Sequence, residues 1–206
     1  MGQPRSKSPF EYSGGNLALD FTNTVNNRIS GERKELLTDY SRLLQWGEES
    51  GAISKKTRDR LQELSTETPG HAVSALRHAI QVREAIYDIF CAVVERRVVS
   101  ESALTILNKA AQHVAQHDEI VHANRRFLRE WRSPDTNLDA VLWPVVRAAT
   151  DLLTSENVNV VRQCAADDCA WLFLDTTKNH RRRWCDMKIC GNRDKARRYY
   201  QRQKLA

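Results

Sequence analysis

Four of the five cysteines in this 206-residue chain fall in its last quarter, as Cys164-x4-Cys169 and Cys185-x4-Cys190, with 15 residues between the pairs. Two short chelating turns joined by that much chain can close face to face around one ion. In a reducing compartment, metal explains paired C-x4-C turns better than disulfides do. Four thiolates complete the tetrahedron that Zn²⁺ prefers and leave no position for water, so the single expected Zn²⁺ is structural rather than catalytic. The fifth cysteine, Cys91, stands in an apolar helical run and reads as a small core residue.

Arginine surrounds the ligands. Arg181, Arg182 and Arg183 precede Cys185, and Lys195, Arg197, Arg198 and Arg202 follow Cys190. From Arg162 to the end there are 12 Lys and Arg against 5 Asp and Glu, whereas the preceding 161 residues hold 20 against 21. The net charge of +6 therefore belongs to the tail, which points to an anionic partner, double-stranded DNA first. Two other readings share these residues. Trp184, Tyr199 and Tyr200 could stack on unpaired RNA bases, or the module could be a zinc-stapled surface for another protein. Four thiolates around Zn²⁺ carry a formal charge of −2, so some of the arginines are expected to serve the module itself. Tyr199 and Tyr200 are expected to pack over its thin apolar core.

These ligands need elements to hold them. Ala170 to Asp175 reads as a strand that Arg181 to Cys185 could pair with across a turn at Thr176 to His180. Asn192 suits the cap of a last helix running from Arg193 to about Gln203. Upstream, apolar residues recur at helical spacing: Leu17, Phe21 and Val25; then a helix capped by Thr38 through Leu43, Leu44 and Trp46. A third, capped by Ser54, ends before Pro69-Gly70, and the longest runs from about Ala72 to Val98, with Val73, Leu76, Ile80, Ile86, Ile89, Phe90 and Val93 in its stripe. Another opens at Ser100, and the last lies within Leu138 to Leu153, where Pro144 must start or kink it. Partial alternation about Ala123-Asn124 allows a small hairpin. The fold class expected is mainly α: a helical domain over 1–155 with one small β-hairpin, followed by a zinc-bound ββα-type module over 156–206.

Other classes find less support. No nucleophile–base pair or phosphate-cradling glycine loop is apparent, so no enzyme is expected. No run approaches 18 apolar residues and the first ten residues are polar, which favours a cytoplasmic protein with no membrane partner. His113-x3-His117 lacks the glutamate of the metalloprotease motif and reads as a polar helix face. Asp20 and Asn23, with Asn26, could line a pocket for a small-molecule effector or cap neighbouring helices. A lone finger makes few base contacts, so a homodimer or a second reading element is expected if DNA is read specifically.

The run Trp184-Cys-Asp-Met-Lys-Ile-Cys-Gly-Asn-Arg-Asp-Lys-Ala-Arg-Arg198 resembles the CGNR zinc-finger family, whose tetrapeptide stands here at Cys190 to Arg193. Cys169-Ala-Trp-Leu-Phe-Leu-Asp175 and Arg181-Arg-Arg-Trp-Cys185 also match its pattern. Gly15 to Val25, Arg83-Glu-Ala-Ile86 and Leu142-Trp-Pro-Val145 resemble the ABATE domain that precedes such fingers. The resemblance implies a bacterial stress-induced transcription regulator whose finger binds DNA.

Overall fold

The computed structural model describes residues 8–29 and 32–204, apart from the side chains of Arg202 and Lys204. The polar start through Lys7 and the Arg202 side chain therefore lie outside the described residues. Among the described residues, seven α-helices and three two-stranded antiparallel ribbons follow in chain order. They are α1 (Leu17–Thr22), β1 (Val25–Asn26), β2 (Lys34–Glu35), α2 (Tyr40–Glu49), α3 (Lys55–Glu67), α4 (Pro69–Glu95), α5 (Glu101–Ala115), β3 (Asp118–Ala123), β4 (Arg126–Trp131), α6 (Leu142–Leu153), β5 (Val161–Gln163), β6 (Leu172–Leu174) and α7 (Asn192–Lys204).

Local chemistry sets most helix ends. Asn16, Ser54 and Ser100 each accept a first-turn amide through the side chain, at α1, α3 and α5. The cap of α2 is Asp39, which accepts from the Arg42 amide, and not Thr38, which donates its hydroxyl to Asp39 instead. Helix α4 starts three residues before the expected Ala72, because Pro69 fits the first turn, where no amide needs a partner. It ends at Glu95, where Arg96 turns left-handed at φ 55°. Pro144 stands in the first turn of α6 for the same reason as Pro69 and leaves the helix unbroken.

Helix α4 is the central strut, packed by α1, α2, α3 and α5 and by the β5–β6 ribbon. Of its expected stripe Ile86, Ile89 and Phe90 are buried, but Val73 is 56 % exposed, and Ala72, Ala75, Ala79, Ala85 and Ala92 face the core with Val82. Small side chains let neighbouring helices approach while Trp46, Trp143, Phe21 and Leu44 fill the remaining space. Phe21 meets Trp46 with ring centroids 4.8 Å apart. His113 and His117 belong to this packing, since His117 stacks on Trp143 at 4.0 Å and His113 meets His117 edge-on. Cys91 is buried, which pushes its thiol up to about 11.

Beneath the β1–β2 ribbon lies an ionic cluster. Arg83 is fully buried and donates bidentately to Glu35 at 2.7 and 2.6 Å, to Glu84 at 2.8 Å and to the Thr24 hydroxyl at 3.0 Å. Burial alone would raise the Glu84 carboxyl. Hydrogen bonding and charge from Arg28, helped by Arg83 and Arg33, hold it down at about 2.

The ribbon expected about Ala123-Asn124 is β3–β4, closed by Asn124 and Arg125 at φ 52° and 61°, the two-residue turn that suits strand twist. Within the cysteine-rich segment the pairing differs from expectation. Strand β6 pairs with β5, Val161 opposite Leu174, and not with Arg181 to Cys185. Val161 and Leu172 are thereby buried in the helical core, which an isolated 50-residue module could not offer them. No helix among the described residues is long and apolar enough to cross a membrane.

Candidate metal centre and basic surface

The first pair of cysteines spans the turn between β5 and β6. The Cys164 amide donates to the Trp171 carbonyl at 2.8 Å and the Cys169 amide to Ala166 at 3.1 Å, so the chain reverses with both sulfurs on its inner side. A bond from the Ala165 amide to the Arg183 carbonyl, 2.8 Å, brings the second pair alongside. Asp175, fully buried, organises the intervening loop: it accepts from the Thr177 amide and hydroxyl and from the Arg182 amide. Burial would raise its carboxyl, but these bonds hold it below the usual carboxylate range.

Asp186 then starts the last helix, six residues before the Asn192 cap expected from the sequence. It accepts from the amides of Lys188 and Ile189, and a π-turn over Met187–Gly191 runs straight into α7. Cys190 therefore sits within the helix's first turn, near amides that favour thiolate. A side-chain carbon at Gly191 would lie 2.5 Å from the Met187 sulfur, so glycine lets Met187 fold back over this turn.

All four sulfurs converge. Those of Cys164, Cys169, Cys185 and Cys190 lie within 4.8 Å of one another and every cysteine is buried. The Cys169–Cys185 and Cys185–Cys190 separations are both 3.6 Å. A tetrahedron with Zn–S bonds of about 2.3 Å has edges of about 3.8 Å, whereas a disulfide needs about 2.05 Å. The donor set and spacing fit one structural Zn²⁺. Among the thiols, hydrogen bonds from Cys169 and its neighbours hold Cys164 down, while those from Cys164 and its neighbours push Cys185 up. A bound ion replaces these shared protons with a common positive charge.

Charge balance comes from a residue the sequence reading passed over. Arg193 lies 3.4 Å from the Cys190 sulfur and 3.1 Å from Asp168. Its place in the tetrapeptide, three residues after a ligand on a helix, was the available signal. Of the arginines before Cys185, Arg182 is committed inward: it donates to the Trp184 and Cys185 carbonyls and lies 4.4 Å over the Phe173 ring. Arg197 pairs with Asp167 at 2.9 Å and Asp194 at 3.2 Å, and Arg198 with Asp194 at 3.0 Å, although half the Arg198 side chain stays exposed. Arg181, Arg183 and Lys195 are exposed and have no ion pair among the described residues. Arg181, Arg183, Lys178, Trp184 and Met187 line an open groove of about 510 Å³, in which Lys178 had not been anticipated. Tyr199 and Tyr200 are 59 % and 64 % exposed and meet only edge to edge, so they do not cover the finger core as expected. Asp194 draws Arg197 and Arg198 along the helix instead, and Trp171, Phe173 and Trp184 suffice around the sulfurs.

Asn23 does not open onto a ligand pocket. It is 2 % exposed, and its amide donates to the Leu172 carbonyl at 2.9 Å while accepting from the Leu172 amide at 3.0 Å. Asp20 accepts from the Gly14 amide at 2.8 Å, and burial pushes its carboxyl up to about 6. Both residues tie the start of the chain to its own backbone. Two further bonds fasten the metal module to the body: the Trp171 indole donates to the Val25 carbonyl at 2.7 Å, and the Tyr87 hydroxyl to the Ala170 carbonyl at 3.0 Å.

Comparison with known families agrees with this geometry. No curated protein matches the chain. A family model described as "Putative stress-induced transcription regulator", the ABATE domain, matches residues 15–156, and the CGNR zinc-finger model matches residues 161–203. With more than half of its length matched by the first model and the cysteine cluster by the second, the chain belongs to the ABATE family and carries a C-terminal CGNR zinc finger.

Proposed function

We propose that the protein is a transcription regulator that grips double-stranded DNA through its zinc finger. The observation that carries this reading is the cationic surface beside a metal-fixed helix: Arg181 and Arg183 on the loop, and Lys195 and the exposed half of Arg198 on α7. A helix held by zinc in its first turn presents its side chains to a groove without ordering cost at binding. Loop arginines beside it suit phosphates, which position the finger and carry no sequence information themselves. Arg182 and Arg197 support the surface from behind.

The region 1–155 acts as the sensing body and 156–206 as the reader. A stress signal or small-molecule effector acting on the body would reach the finger through Asn23–Leu172, Val25–Trp171 and Tyr87–Ala170. Four thiolates leave zinc no open position, which supports a role in holding the finger rather than in catalysis.

Fluorescence anisotropy with labelled duplex DNA over a salt series tests the reading. Four phosphate contacts correspond to a slope of log affinity against log salt of about −3 to −4. Arg181→Ala or Lys195→Ala should each reduce its size by about one, with zinc content unchanged. An affinity indifferent to salt and to both substitutions would refute it. A second reading rests on the exposure of Tyr199 and Tyr200, which suits stacking on unpaired bases. If it holds, single-stranded RNA outcompetes duplex DNA and Tyr199→Ala costs more than Lys195→Ala.

A further inference from the structure

The β3–β4 ribbon packs Trp131 on the core but leaves three large apolar side chains beside one another in solvent. Ile120 is 73 % exposed, Phe127 77 % and Leu128 44 %. A two-stranded ribbon in water is marginal by itself, and exposed edges are templates for further pairing. The two-residue turn at Asn124-Arg125 makes Ala123–Arg126 the hydrogen-bonded closing pair, and such pairs recur at Val121–Leu128 and Glu119–Glu130. The amides and carbonyls of Phe127, Arg129 and Trp131 therefore point away from β3, and no third strand receives them among the described residues.

The sequence along that free edge is self-complementary. When Arg126-Phe-Leu-Arg-Glu130 is laid antiparallel on itself about Leu128, Arg126 falls opposite Glu130 and Phe127 opposite Arg129. The outward main-chain groups of Phe127 and Arg129 then exchange four hydrogen bonds across the two-fold axis, and Leu128 meets its own copy. The charges within one chain fit this arrangement. Glu119 and Glu130 are directly opposed on the ribbon, a like-charge pair that is unfavourable unless a cation joins it. Glu119 is paired to Arg132, but neither Glu130 nor Arg126 has an ion pair among the described residues.

We propose that two copies of this chain associate through β4, forming a four-stranded antiparallel sheet with Arg126 facing Glu130 of the partner subunit on both sides of the axis. The occupant is a second copy, and its binding does not depend on DNA.

Sedimentation equilibrium of the zinc-loaded full chain without nucleic acid, over a concentration series, tests this. The mass should rise from one chain toward two. Arg126→Glu and Glu130→Arg each place like charges opposite one another twice and should raise the dissociation constant roughly tenfold or more. The double variant R126E/E130R restores opposite charges and should return to the wild-type constant. Glu130→Arg also removes the Glu119–Glu130 conflict, so its loss of association cannot be ascribed to a weakened ribbon. The proposal is overturned by a single-chain mass at every concentration, by single variants that associate like wild type, or by a well-folded double variant that stays apart.

Discussion

Replacing Asn23 with alanine tests the join between body and finger at its most buried point. The side chain bonds both backbone groups of Leu172, 149 residues away, and no water can reach them. Alanine removes two hydrogen bonds and strands an amide and a carbonyl on β6, each unsatisfied group costing about 1–3 kcal/mol. The sum is about 2–5 kcal/mol, allowing for partial relaxation of so short a strand. For a chain of this size, 3 kcal/mol lowers the melting temperature by about 6–12 °C. Strand β6 leads directly out of the Cys164–Cys169 turn, so the variant should also surrender zinc faster to a chromogenic chelator. Thermal unfolding and the chelator assay on one preparation read both effects. A shift below about 2 °C with an unchanged zinc-release rate would mean that α1 and β6 are held by something other than this amide. Asn23→Asp sharpens the result: it keeps the acceptor for the Leu172 amide but turns a carboxylate toward the Leu172 carbonyl, so it should be no better than alanine at neutral pH.

Asp20→Asn should have the opposite sign. The carboxyl is raised from 3.8 to about 6 in the fold, so its contribution is full below about pH 4 and is lost as pH rises through 6. Asparagine keeps the acceptor for Gly14 and removes the ionisation; unfolding should show a gain of up to about 3 kcal/mol at pH 7 and little at pH 4, and equal effects at both would refute the assignment. Chelating the metal, or Cys185→Ser, should abolish the near-ultraviolet signal of Trp171 and Trp184, with recovery on adding Zn²⁺ but not Mg²⁺; a signal that survives would dismiss the metal as the module's stabiliser. Arg83→Met leaves Glu35 and Glu84 facing each other in a half-buried site and should cost about 3–5 kcal/mol by urea unfolding, with Arg83→Lys recovering little because one ammonium cannot replace the fork.

Much of the arrangement was legible because it rests on short-range rules. The C-x4-C pairs predicted the sulfur cluster, and Ser54 and Ser100 marked helix starts by the same amide-capping chemistry seen at α3 and α5. The hairpin was legible about Ala123-Asn124, one residue short of its turn at Asn124-Arg125, since alternation breaks at an asparagine, which tolerates left-handed backbone. Where more than one residue could perform a task, residue type alone misplaced it: Thr38 and Asn192 were expected to cap α2 and α7. The structure chose Asp39 and Asp186 because their oxygens reach the amides of Arg42, and of Lys188 and Ile189.

The identity of the metal ligands and the basic character of the tail were determined by residue type and spacing alone, because thiolate chemistry and net charge do not depend on what the rest of the chain does. Which strand β6 joins, which arginines remain free, and where Asn23 spends its hydrogen bonds were decided only in three dimensions. Each depends on a partner distant in sequence: Val161 for Leu174, Asp167 for Arg197, Leu172 for Asn23. A buried polar group takes whichever partner the closed fold leaves within reach, and no local pattern records that outcome.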